Sequence, residues 1–117
     1  MKLQNKNMKK LEGLRHSLDN LDSALISILS ERFKLTYEVG VFKAENNLPS
    51  VDEERERKQF ERIKQLAGNH GLEPEIAVKV LRLIIDEVVE KHKKIQEKTE
   101  IVLNTGVSIG GNNKQQQ

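Results

Sequence analysis

LEGLRHSLDNLDSALISILSERFKLTYEVGVFKAE, residues 11–45, decides the fold. Its apolar residues fall three and four apart, so that Leu11, Leu14, Leu18, Leu21, Leu25, Ile28, Leu35, Val39 and Phe42 form one seam of a helix. No proline interrupts the stretch. At 1.5 Å of rise per residue such a helix is about 50 Å long, more than the rest of a small domain can cover. A heptad-like seam with exposed flanks favours pairing with a second copy of the chain. One position breaks the seam: Arg32 stands between Ile28 and Leu35, where the spacing calls for a hydrophobe. A permanent cation on a core face is costly unless an anion meets it. Either the sequence supplies that anion or a ligand does.

Outward from this segment, the helical pattern stops at ENNLPS (residues 45–50), where two asparagines and Pro49 disfavour helix. A second helix is predicted from Ser50 or Asp52, either of which suits an N-cap, with Ser50 and Glu53 spaced as a capping box. Its apolar face is thin (Phe60, Ile63, Leu66, Ala67), and Gly68 with Asn69-His70-Gly71 ends it. Pro74 suits the first turn of a third helix. That helix is predicted to run to about Lys98 with Ile76, Ala77, Val80, Leu81, Ile84, Val88 and Ile95 inward. The polar, basic residues 1–10 read as a flexible N-terminus, residues 11–98 as one domain, and the Gly, Asn and Gln content of 99–117 as a disordered tail. No strand pattern competes. The expected fold is all-α, three helices per chain (very long, short, long), forming an intertwined helical homodimer.

Composition narrows the chemistry. At 117 residues with 3% aromatics and no tryptophan, the core must be built from Leu, Ile and Val. A net charge of +2, with signs mixed throughout, gives no footprint for nucleic acid. The absence of cysteine excludes disulfides and thiolate metal sites, and His16, His70 and His92 lack metal-ligand spacing. No apolar run approaches a membrane span, and MKLQNKNMKK lacks the apolar stretch of a signal peptide, so a soluble cytoplasmic protein is expected.

Several other cations lie near the seam. Arg32 and Lys43, eleven residues apart, point nearly the same way about 16 Å apart along the axis. Arg15 lies about 25 Å from Arg32 and cannot reach the same small ligand within one chain. In an antiparallel dimer, Arg15 of one copy approaches Arg32 of the other. Arg55 and Glu56 stand in the first turns of the second helix, within DEERER (residues 52–57). Converging cations with few carboxylates suit a small ligand bearing two carboxylates, and a lone Glu suits a hydroxyl. Each feature alone has an ordinary reading: a snorkelling or paired Arg32, a surface Arg15, a solvated helix start, a structural His92.

Together they do not. Residues 14–56, LRHSLDNLDSALISILSERFKLTYEVGVFKAENNLPSVDEERE, resemble the all-helical chorismate mutase family. Arg15, Leu18-Asp19, Glu31-Arg32, Val39-Gly40, Lys43, Pro49, Asp52 and Arg55-Glu56 fall at the family's spacing, and the match continues more weakly to about Ile95. The resemblance implies a domain-swapped dimer and the cofactor-free rearrangement of chorismate to prephenate, on the route to phenylalanine and tyrosine. It implies that Arg32, with Arg15 from the partner copy, grips the enolpyruvyl carboxylate and that Arg55 holds the ring carboxylate. It further implies that Lys43 donates to the ether oxygen and that Asp52, through its backbone, and Glu56 contact the ring hydroxyl. Two positions depart from the best-known members: Val88 replaces a serine at the ring carboxylate, and His92 replaces the Gln or Glu that is the second donor to the ether oxygen. A cationic His92 implies activity that falls as pH rises through its pKa. The same fold also serves isochorismate pyruvate lyases and aminodeoxychorismate mutases, and a non-catalytic regulatory helical dimer is the remaining alternative.

Overall fold

The computed structural model describes residues 2–106, and among them every regular element is helical: α1 Lys2–Glu45, α2 Glu53–Asn69 and α3 Pro74–Thr105. The all-α, three-helix expectation holds. None of these helices is long and apolar enough to cross a membrane.

Helix α1 begins at Lys2, well before the seam, because the leading residues are mostly Lys, Gln, Leu and Met, which lose little side-chain freedom in a helix. It ends through a left-handed residue, Asn47 at φ 55°, with the Leu48 N–H donating to the Lys43 carbonyl at 2.9 Å. Helix α2 ends the same way. Gly71 sits at φ 73° and the Leu72 N–H donates to the Ala67 carbonyl at 2.8 Å. Both are Schellman terminations, with Asn or Gly in the left-handed position and a leucine directly after it. Between the two candidate caps of α2 the structure selects Asp52, whose carboxylate accepts from the Arg55 N–H at 3.1 Å. Pro74 opens α3 as predicted.

Helix α3 continues past Lys98 to Thr105, so residues 99–105 are helical where the tail was expected. Thr99 donates its hydroxyl to the Ile95 carbonyl at 2.9 Å, and Ile95, Thr99 and Val102 extend the partly buried stripe. The stop comes only at Gly106, φ 69°, whose N–H donates to the Val102 carbonyl. The remainder of the expected tail, 107–117, lies outside the described residues.

The described residues divide into two compact units, parted between Leu35 and Thr36. In the first, the seam residues Leu14, Leu18, Leu21, Leu25 and Ile28 are each more than half exposed. In the second, α2 packs against α3, and Ala44, Ala67, Ala77, Leu81, Ile85 and His92 are buried. The buried stripe of α3 therefore runs through 77, 81, 85 and 92. Ile76 and Val80, expected inward, are about half exposed in the single chain.

Candidate active site

Lys43 is half-buried near the end of α1, and its backbone is fixed by the Schellman bond from Leu48. The Leu48 carbonyl in turn accepts from the Gln96 side chain of α3 at 2.6 Å. The height of Lys43 is thus set through two hydrogen bonds that run from α1 through the connecting loop to α3.

His92 is 3% exposed on α3. Its Nε2 lies 2.7 Å from the Thr36 carbonyl oxygen of α1. A carbonyl only accepts, so Nε2 carries the hydrogen and Nδ1 is left as the acceptor. Nδ1 is buried and has no hydrogen-bond partner among the described residues. A buried acceptor left unmatched costs about 1–3 kcal/mol. Burial lowers the His92 pKa from its usual 6.5, the Thr36 bond opposes that shift, and the charge of Lys43 adds to it. Burial therefore favours the neutral ring at pH 7 and disfavours a cationic donor at this position.

The depressed pKa carries a stability consequence. Above pH 6.5 both folded and unfolded chains hold His92 neutral. Below it the unfolded chain takes up a proton first, so stability is lost as pH falls from about 6.5 toward the folded pKa. The urea midpoint is expected to drop over that window, and His92→Gln is expected to flatten the drop.

The DEERER run sorts into separate roles. Arg57 pairs with Glu54 at 2.7 Å and with Glu61 at 2.8 Å, both exposed contacts of small energetic weight. Glu56 is bridged by Arg82 of α3 at 3.5 Å, and the same guanidinium lies 4.4 Å from the centre of the Phe60 ring. Arg55 is exposed and has no carboxylate partner among the described residues. The Asp52 carboxylate is committed to capping α2, which leaves its backbone for any ligand contact. Replacing Asp52 with alanine is expected to lower stability by about 1 kcal/mol, read as a shift of the urea midpoint at constant slope.

Val88, half-buried on α3 one turn before His92, supplies no donor. In the unit of residues 1–35, Arg15 is exposed and Arg32 is half-buried. Arg32 has no ion-pair partner among the described residues, for the adjacent Glu31 is taken by Lys34 at 2.9 Å. Arg82, Thr36 and Gly40 also touch the expected site residues or their neighbours, though nothing in their spacing marks them. Arg82 stands between Leu81 and Leu83 with no periodic signal of its own.

A profile of the family described as chorismate mutase type II matches residues 14–93. The chain belongs to that family. The span matched to the type II chorismate mutase profile contains all eight expected site residues, from Arg15 to His92. The chain is similar to the chorismate mutase of Methanocaldococcus jannaschii, 27% identical over 93 residues that make up 80% of this chain and 94% of the relative. It is also similar to the bifunctional chorismate mutase/prephenate dehydratases of Aquifex aeolicus, 37% identical over 94 residues, and Escherichia coli K12, 35% identical over 79 residues. The matches cover 76% and 68% of this chain but only 25% and 20% of those two proteins. The type II chorismate mutase relationship therefore extends over the helical span and leaves most of each bifunctional relative unmatched.

Proposed function

We propose that this chain rearranges chorismate to prephenate, as a homodimer with two composite sites. The observation that carries this reading is where the unpaired cations stand. Arg15, Arg32, Lys43 and Arg55 have no carboxylate partner among the described residues, and the same holds for exposed cations such as Arg62, Lys64 and Lys79. What sets the four apart is that they occupy the family's motif positions. A ligand with two carboxylates supplies the missing anions.

The exposed seam supports the second copy. Fully burying a leucine or isoleucine is worth about 1.5–3 kcal/mol, so the five seam residues, each a little more than half exposed, forgo about 4–9 kcal/mol. That is comparable with the whole stability of a small domain. An antiparallel partner covers the seam and brings its Arg15 toward Arg32.

In this reading Arg32 and the partner copy's Arg15 hold the enolpyruvyl carboxylate, and Arg55 holds the ring carboxylate. Clamping both ends keeps the substrate folded, with the carbons that will bond close together. The C–O ether bond then breaks as the new C–C bond forms, and no atom enters or leaves. Negative charge grows on the ether oxygen, where the Lys43 ammonium stabilises the transition state more than the ground state. The Asp52 backbone and Glu56 meet the ring hydroxyl, Glu56 being steadied by Arg82. Val88 leaves the ring carboxylate to Arg55 alone.

The test is the loss of chorismate absorbance with purified protein, with prephenate identified as the product. Turnover is expected with chorismate and not with isochorismate or aminodeoxychorismate. Inertness toward chorismate would end the proposal, and turnover of isochorismate alone would move the chain to the lyases.

A further inference from the structure

His92 occupies the place at which the family resemblance implies a second donor to the ether oxygen. The geometry points to a different role: His92 is a positioning residue that pins α3 against α1 at Thr36 and Gly40, leaving Lys43 as the one donor to the reacting oxygen.

Three observations meet here. The single N–H of the neutral ring is spent on the Thr36 carbonyl at 2.7 Å. Nδ1 then has a lone pair and no hydrogen, so it cannot donate to an ether oxygen. Finally, the ring lies against the bare Cα of Gly40. A Cβ built there would come within 2.5 Å of His92 Cδ2, 3.0 Å of Nε2 and 2.9 Å of the Ile95 Cδ1. Real Cβ atoms do not approach so closely, so position 40 has to be glycine for the helices to cross at this depth. From α1 the groups that face the ring are the Thr36 carbonyl, the Gly40 backbone and the charge of Lys43.

Lys43 is one turn beyond Gly40 on α1, and Gln96 is one turn beyond His92 on α3. The Thr36–His92 bond on α1 and the Leu48–Gln96 bond just past its end therefore bracket Lys43 along the chain. A residue held between two such ties keeps its backbone at a fixed height, which sets where the lysine side chain starts. His92 acts on the reaction through the backbone of α1.

This inference rests on the proposed chorismate rearrangement for its kinetic arm, and a second arm stands without it. In the kinetic arm, His92→Leu is expected to lower kcat on the order of tenfold at nearly constant KM, because a small displacement of Lys43 weakens the transition state. Wild-type kcat is expected to stay level from pH about 7 to 8.5, since a neutral ring has no proton to lose there. In the structural arm, nitrogen-15 NMR of the imidazole is expected to show the neutral Nε2–H tautomer. That signal is expected to remain unchanged when a dicarboxylate transition-state analogue is added. A double-mutant cycle completes this arm. Gly40→Ala is expected to lower the unfolding temperature in the wild-type background and much less in His92→Ala, where the ring that it would strike is gone.

An imidazole that protonates or changes tautomer on analogue binding would overturn the positioning role and restore the donor. So would kcat that falls with the titration of His92. Equal costs of Gly40→Ala in both backgrounds would remove the packing contact. If wild type does not consume chorismate, the function fails, yet the tautomer and the cycle still decide the role of His92.

Discussion

Replacing Lys43 with alanine is expected to lower kcat for chorismate by about 10²–10³-fold, the usual cost of removing one preorganised donor from developing negative charge. KM is expected to change far less, because charge on the ether oxygen grows only as the bond breaks. The fold should tolerate the change. The Lys43 side chain is half-buried and unpaired, and the bond that Leu48 makes to its backbone carbonyl survives truncation. The unfolding temperature is therefore the control, and it is expected to move little. A raised KM with kcat intact would show that Lys43 grips the substrate and not the transition state, and would return the burden of catalysis to the carboxylate clamp.

The second large effect tests that clamp and its two-chain origin together. Arg15→Ala and Arg32→Ala are each expected to reduce kcat/KM by about ten- to a hundredfold, from the loss of charge-assisted hydrogen bonds worth about 1.5–3 kcal/mol. Unfolding the two impaired variants together and refolding the mixture is expected to restore about a quarter of wild-type activity. The reason is geometric. In a mixed dimer one site takes Arg32 from the first chain and Arg15 from the second, and both are intact. The other site lacks both. Half of the dimers are mixed, and each mixed dimer carries one good site out of two. Clamps completed within one chain would give no recovery.

Much of the fold was legible in residues 11–45, because a long apolar seam without proline has one economical reading. Pro49, Pro74 and the Asn-His-Gly turn then divided the remainder. The end of α3 was misjudged because composition was weighed over periodicity. Ile95, Thr99 and Val102 keep the helical stripe going, and only Gly106 ends it. The cations of the candidate site were legible as charges in odd places, and their family spacing marked them out. What the sequence hid was contact between distant residues. Nothing in the string couples Arg82 to Glu56, or Gly40 to His92 fifty-two positions on. The charge of His92 was left open by the same gap, since its pKa depends on burial against α1 and on a carbonyl that any residue could provide.

The exposed leucines of α1 carry one last consequence. In the proposed twofold pair every seam residue would occur twice, so a change costing about 1 kcal/mol per copy would cost the assembly about 2 kcal/mol. Random drift would then be penalised more heavily along Leu14–Ile28 than at a core position of a solitary chain of equal burial. The stretch that looks least constrained when one copy is viewed alone is, in the proposed pair, where an inherited substitution is counted double.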